Sequence, residues 1–315
     1  MDEHKNCTAP DCGSCPKASG AVYTHRNDTG DAEATAYTVF PGIEIIYNAV
    51  HMDRCALGTR SGQRIIEIHH CREGRMEQPF SDDFFYLMPG DLSVAIREQP
   101  LSDYTFPLRH YHGITIVIDV DRAPRCFSCF LEDVDVEPLT VAQRLCGDRG
   151  CFVLRQENYI EHIFSELYAL PRCSRKGYFK VKILELLLVL SGIDPEEGDT
   201  PTVSLSREQA GLAKDAAAYL AGNMDRRVTV AELAKTFHVS QTHLQNAFKG
   251  VYGVPIFSYL RVQKMQSAAL QLIHTDRSVM EIASTCGYDN ASKFSSAFRE
   301  VMGEAPGEYR RAHRQ

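Results

Sequence analysis

VTVAELAKTFHVSQTHLQNAFKGVYGVPIFSY (residues 228–259) and SVMEIASTCGYDNASKFSSAFREVMGEAPGEY (residues 278–309) are one pattern written twice. Leu233 and Ala234 recur as Ile282 and Ala283. Leu244, Ala247, Phe248, Lys249, Val251, Gly253 and Tyr259 recur as Phe294, Ala297, Phe298, Arg299, Val301, Gly303 and Tyr309. Self-similarity at a fixed period is weighed before other signals, because it reports a repeated supersecondary unit.

Each copy opens with a capping box, Thr229 with Glu232 and Ser278 with Glu281, in which hydroxyl and carboxylate satisfy the free N–H groups of a helix start. The first helix is short. It stops at His238 in one copy and Gly287 in the other, where the chain needs a left-handed residue. A second helix follows, capped by Ser240 in one copy and by Asp289 or Asn290 in the other. Its apolar stripe is Leu244, Ala247, Phe248, Val251 or Phe294, Ala297, Phe298, Val301. Two short helices with a tight turn, the second amphipathic, describe a helix-turn-helix. The competing reading, a generic helical-hairpin repeat, normally needs three or more units, and here there are two.

These residues resemble the AraC/XylS transcription regulators, whose DNA-binding domain joins two helix-turn-helix units by a long helix. The resemblance rests on VTVAELAKTFHVSQTHLQNAFKGVYG, PIFSYLRVQKMQSAALQLI and SVMEIASTCGYDNASKFSSAFREVMGEAPGEYRR and covers about the last third of the chain.

The charge distribution agrees with it. The 315-residue chain carries a net charge of −7, which taken whole argues against nucleic acid, yet from Ser206 onward 14 Lys plus Arg face 10 Asp plus Glu. Asp2, Glu3, His4 and Lys5 stand where a secretory signal would be apolar, and the most apolar run, Ile183 to Leu190, contains Glu185 and is too short to span a bilayer. The expectation is a cytoplasmic protein with no membrane partner, whose 11 cysteines are mostly reduced.

The expected fold class is α+β, with a β jelly-roll or cupin-like N-terminal domain carrying helices and an all-α double helix-turn-helix domain after it. Residues 1–20 form a polar tail in which His4, Cys7, Cys12 and Cys15 could hold zinc or iron, the Cys12-x-x-Cys15 spacing being suitable although the remaining spacings match no finger pattern. No other cofactor is expected. Residues 21–192 begin with short β-branched and aromatic runs, Tyr37 to Phe40, Ile43 to Tyr47, Arg64 to Cys71, Phe84 to Leu87, Leu92 to Arg97 and Ile114 to Val120, which suggest a sandwich or barrel. In AraC-like proteins this position holds a cupin-like jelly roll that receives the effector. EIHHCREGRMEQPF and YLMPGDLSVAI resemble it, and the half looks closest to the branch that includes the pyochelin-siderophore regulator.

Glu67 and His69 share one strand face, and His110 and His112 share parity with Ile114, Ile116 and Ile118. A cupin metalloenzyme would use such residues, but the H-x-H-x(3,4)-E signature is absent. The histidines are therefore read as structural or effector-contacting, with Glu67, His69, Arg97, His110 and His112 as the candidate effector contacts, and the chain as not an enzyme with no catalytic residues. Cys126-x-x-Cys129, with Cys146 and Cys151, could form redox pairs, but no thioredoxin-like pattern surrounds them.

Helices are predicted over Leu139 to Cys146, Gln156 to Leu170 and Gly177 to Leu190. The last carries Val181, Leu184 and Leu188 on one face, widened by Leu186, Leu187 and Leu190. Two readings remain open for them, the homodimer interface that the resemblance implies and simple closure of the monomer core. Residues 193–205 read as a linker and 206–315 as the DNA-binding domain, opening with a helix from Glu208 to Gly222.

A helix from about Ile256 to His274 rises roughly 28 Å at 1.5 Å per residue, near the ~34 Å between successive major grooves on one face of B-DNA. On the first recognition helix Gln241, Thr242, Gln245 and Asn246 lie opposite the apolar stripe, and Gln and Asn can pair with adenine bidentately. The second offers Asn290 at its start, then Ala291, Ser292, Ser295 and Ser296. It lacks the arginine that many family members carry near Ser296. Lys249, Lys293, Arg299, Arg310 and Arg311 are expected on phosphates, with ordinary solvated helix faces as the alternative. The reading is an effector-responsive regulator, an activator by family habit, whose partners are double-stranded DNA, RNA polymerase, an unknown small molecule and a second copy of itself. Two alternatives stay in view: a metal or redox sensor built on the N-terminal cysteines, and a cupin-type metalloenzyme with a DNA-binding tail.

Overall fold

The computed structural model describes residues 20–57, 64–80, 83–98, 103–124, 127, 136–169, 175–197 and 204–314. His4, Cys7, Cys12, Cys15 and the Cys126-x-x-Cys129 pair lie outside them. The chain divides into two compact units that meet between Ser204 and Leu205.

The N-terminal unit contains β1 (Ala21–Asn27), β2 (Gly30–Phe40), β3 (Ile43–His51), β4 (Arg54–Cys55), β5 (Ile65–Gly74), β6 (Met76–Phe80), β7 (Asp83–Leu87), β8 (Leu92–Arg97), β9 (Tyr104–Thr105), β10 (Tyr111–Asp119) and β11 (Cys151–Leu154). One antiparallel sheet runs β1-β2-β3-β10-β5-β8-β11. A second holds β7-β6-β9-β4. Three helices follow, α1 (Pro138–Cys146), α2 (Asn158–Ala169) and α3 (Arg175–Gly192).

Strand parity separates two cores. Ile66, Ile68, Ile114, Ile116 and Ile118 point one way, into a cluster completed by Val141 and Leu145 of α1, Ile163 and Phe164 of α2, and Ile183, Leu187 and Leu190 of α3. Val50, Cys71, Ala95 and Tyr111 point the other way and meet Met76, Phe85, Leu87 and Tyr104 of the second sheet. This explains why β5 is buried from Ile65 to Cys71 without alternation: helices cover one face and a sheet the other.

α3 corrects the expected stripe. Phe179, Ile183, Leu186, Leu187 and Leu190 face the core, whereas Val181 is 59% exposed and Leu188 37%. Its last turn is held from outside, where the Arg144 guanidinium donates to the carbonyls of Leu190, Ser191 and Ile193, groups that a helix end leaves without partners. Cys55, Cys71, Cys146, Cys151 and Cys286 are buried as thiols, and the Cys146 Sγ donates to the Val94 carbonyl at 3.4 Å.

The C-terminal unit contains α4 (Arg207–Ala221), α5 (Val230–Thr236), α6 (Gln241–Tyr252), α7 (Ile256–His274), α8 (Val279–Thr285), α9 (Ala291–Met302) and α10 (Pro306–His313). α4 opens on a complete capping box between Ser206 and Gln209 and buries a small-residue face, Ala210, Ala213, Ala216 and Ala217. The duplication extends to the aromatic packing: Phe248 meets Tyr259 edge-on at 5.3 Å, and Phe298 meets Tyr309 edge-on at 5.5 Å.

Candidate nucleic-acid interface

The sequence places a cap before each recognition helix, and the backbone uses it. Ser240 Oγ accepts the His243 N–H at 3.2 Å and opens α6; Asn290 Oδ1 accepts the Ser292 and Lys293 N–H groups at 2.8 and 3.1 Å and opens α9. The turns before them pass through the left-handed region at His238 (φ 56°) and Gly287 (φ 72°), and Gly253 and Gly303 close α6 and α9 the same way. Of the two capping boxes ahead of α5 and α8, Ser278 with Glu281 is complete. Thr229 accepts the Glu232 N–H, while the Glu232 carboxylate is drawn off to the Arg226 guanidinium at 2.7 Å.

α6 buries Leu244, Ala247, Phe248 and Val251 and exposes Gln241, Thr242, Gln245, Asn246 and Lys249. α9 buries Phe294, Ala297 and Phe298 and exposes Ser292, Lys293, Ser296 and Arg299; Val301, placed on this stripe by the repeat, packs at the edge of its cluster half-buried. The two faces thus carry different chemistry. α6 presents two long amides and a carboxamide able to donate and accept in one plane, α9 presents short hydroxyls between two cations.

Two of the residues read as DNA contacts also hold the fold. Arg310 donates to the carbonyls of Leu272 and Arg277, so its guanidinium also clamps the end of α7. Asn290 commits its carbonyl oxygen to the cap, which leaves its NH2 group alone for an outside acceptor. Arg261, a cation that the sequence reading passed over, pairs with Glu300 and ties α7 to α9. Lys264 of α7 is buried, its Nζ 3.4 Å from the Arg226 carbonyl, and burial pushes its pKa down.

α7 spans 19 residues, buries Ile256 and Leu260 toward its start, and contributes Met265, Ala268, Ala269 and Leu272 to the core of the second helix pair. One unbroken helix therefore carries both units. At ~1.5 Å per residue it is roughly 28 Å long.

In the N-terminal unit the five residues read as effector contacts divide. Glu67, His69 and Arg97 come together between the sheets: Glu67 Oε2 lies 3.7 Å from His69 Nε2 and 3.5 Å from Arg97 Nε, and it accepts the Tyr104 hydroxyl at 2.7 Å. His69 Nδ1 meets Thr115 Oγ1 at 3.0 Å, Thr115 accepts from Asn48 at 2.9 Å, and Arg97 donates to Gln78 at 2.9 Å. His110 and His112 are elsewhere, partly exposed at the sheet end beside His51 and Glu73. The parity argument placed them correctly on the face of Ile114, but that face runs past its helical cover before it reaches His112. An open cleft of about 520 Å³ lies next to the interior cluster, lined by Arg26, Asp53, Arg54, Asp103 and the interior residues Met52 and Cys55.

Taken with the repeat, this geometry defines a double helix-turn-helix domain. A family model described as a helix-turn-helix domain matches residues 233–312. Right origin-binding protein of Escherichia coli K12 is 31% identical over 105 residues, 33% of this chain and 36% of that protein; the chain thus spans about a third of that relative's length. The HTH-type transcriptional activator AarP of Providencia stuartii is 27% identical over 112 residues, 34% of this chain and 83% of that protein. Among solved structures, the C-terminal domain of AraT, a response regulator from Geobacillus stearothermophilus, is 30% identical across 33% of this chain and 87% of that one, with a TM-score of 0.32. Residues 233–312 thus carry a helix-turn-helix domain of the AraC type. No helix among the described residues is long and apolar enough to cross a membrane.

Proposed function

We propose that the protein is a cytoplasmic transcription regulator and not an enzyme, one that inserts α6 and α9 into successive major grooves of double-stranded DNA and changes promoter occupancy or RNA polymerase contact when its N-terminal unit takes an effector. The observation that carries the reading is the outward face of α6, where Gln241, Thr242, Gln245 and Asn246 stand exposed above a fully buried stripe. Such a face has no packing role, and amides on a groove-sized helix match the adenine edge. Lys249, Lys293 and Arg299 are exposed at positions suited to phosphates, where they orient the domain without reading sequence.

Activation is the sign proposed, following AarP, a relative named as an activator. A homodimer is supported by Val181, Leu184 and Leu188, an apolar ribbon left open or half-covered on α3. The effector belongs, on this reading, at the Arg26–Arg54 cleft, whose lining residue Cys55 pairs across strands with Tyr104, the residue whose hydroxyl donates to Glu67 in the polar group of Glu67, His69 and Arg97. An effector acts only through a difference in its affinity for two arrangements.

Footprinting with a randomised two-box library tests the DNA reading. Gln245→Ala or Asn246→Ala is expected to relax preference at one box, with a loss of about 1–3 kcal/mol for the favoured base. Arg299→Ala is expected to weaken all sequences alike and to reduce the slope of log K against log salt by about 1. An equal loss of discrimination from Ser296→Ala would overturn the assignment of base reading to α6.

A further inference from the structure

A second histidine cluster in the N-terminal unit contains His110 and His112, which the sequence grouped with the effector contacts and the structure sets apart from Glu67, His69 and Arg97. Strand β10 lies between β3 and β5, with Tyr111 opposite Val50 and His112 opposite both Ala49 and Glu73. Continuing that register by one residue sets His110 beside His51. The pairing with β5 shifts between His112 and Gly113, an irregularity of the kind that re-aims side chains at the end of a sheet.

Three imidazoles and a carboxylate converge there. His51 Nδ1 is 3.4 Å from His110 Nδ1, and His51 Nε2 is 3.4 Å from His112 Nε2. Glu73 Oε2 lies 3.4 Å from both His110 Nε2 and His112 Nδ1. One nitrogen can be chosen from each ring so that all three fall within 4.8 Å of one another. With metal–nitrogen distances of about 2.0–2.1 Å, the ligand–ligand edge of a tetrahedral zinc site is about 3.3 Å. The 3.4 Å contacts use opposite nitrogens of each ring, and the set with one nitrogen per ring is looser than that edge, so the rings must turn to share one ion; they have room to, since His51 is exposed and the His110 and His112 side chains are 41% and 32% exposed, and Glu73 already touches both of the latter.

We propose that His51, His110, His112 and Glu73 form a binding site for a divalent cation of the zinc class. Three neutral imidazoles and one carboxylate are a borderline N/O donor set, suited to zinc, cobalt, nickel or ferrous iron rather than to calcium or magnesium. His51, Glu73 and His112 come from three adjacent strands at the middle of a seven-stranded sheet and His110 immediately precedes β10, so the strand donors' backbones are already fixed. The site is distinct from the Glu67–His69 group, which faces the interior between the sheets.

The test is titration of the reduced, chelator-stripped full-length chain with cobalt(II), followed by zinc displacement. The expected result is one equivalent with the visible absorption of a four-coordinate nitrogen and oxygen site and without thiolate charge-transfer bands. His51→Ala and His112→Ala should each weaken it at least tenfold, Glu73→Gln by a smaller factor, and Cys12→Ser/Cys15→Ser not at all. A parallel thermal melt, in which zinc raises the transition of the parent chain but not of His112→Ala, reads the same site without requiring equal folding of the variants. Cobalt affinity unchanged in the His51→Ala/His112→Ala double variant would overturn the proposal. So would a thiolate spectrum abolished by the cysteine substitutions, which would move the metal to the N-terminal cysteines.

Discussion

Replacing Gly287 with alanine should unfold the second helix-turn-helix unit before the first. The residue sits at φ 72° in the turn between α8 and α9, and an L side chain in that region costs about 1–2 kcal/mol. An added Cβ would also lie 3.1 Å from the Asp225 carbonyl oxygen and 3.1 Å from Lys264 Nζ, neighbours that must give way at a further cost of order 1 kcal/mol. The total, about 2–3 kcal/mol, is a large part of the stability of a small helical unit. His238, its counterpart in the first unit, already bears a side chain at φ 56° and is exposed. His238→Gly removes that strain but adds freedom to the unfolded chain worth about 0.4–1 kcal/mol, for a net change between zero and a gain of ~1 kcal/mol. Urea denaturation of both variants followed by circular dichroism, with footprinting of the two boxes, separates the cases. Gly287→Ala should lower the midpoint and lose the α9 box first, whereas His238→Gly should keep both. If Gly287→Ala left the midpoint unchanged, or if His238→Gly destabilised more than Gly287→Ala, the turn would not set the helix pair and the reasoning would fail.

Two further outcomes follow from the N-terminal unit. His70 is stacked on Phe164 at 4.1 Å and held by burial at a pKa of about 4 against an ordinary 6.5, and half-exposed Glu161 at 3.3 Å is too well solvated to offset this. Its folded pKa lies below the unfolded one, so the associated stability is complete above pH 6.5 and is lost as pH falls toward 4, a swing of about 3 kcal/mol. A His70→Phe chain should show a flatter urea midpoint across that window, and an unchanged slope would refute the assignment. Arg144→Ala removes three hydrogen bonds from the last turn of α3 and should cost about 1–3 kcal/mol in the N-terminal transition. Hydrogen exchange should rise at the α3 C-terminus, and protection equal to the parent there would contradict the clamp.

The C-terminal half was legible because its determinants are local. The caps at Ser240, Ser278 and Asn290, the left-handed turns at His238 and Gly287, and α7 from Ile256 to His274 depend on residues within a few positions of one another. A 3.6-residue period states which face is buried without knowledge of what covers it. Where long side chains choose between partners the sequence alone could not decide. Arg310 turns to the carbonyls of Leu272 and Arg277, more than thirty residues away, and Glu232 leaves its capping box for Arg226. The N-terminal half shows the same division more sharply. β-branched runs and turn residues marked its strands, but pairing is set by contacts between distant segments. Only the sheet order therefore brought Glu67 to Tyr104 and Arg97, covered β5 on both faces, turned Val181 and Leu188 outward, and gathered His51, Glu73, His110 and His112 at one end of the sheet.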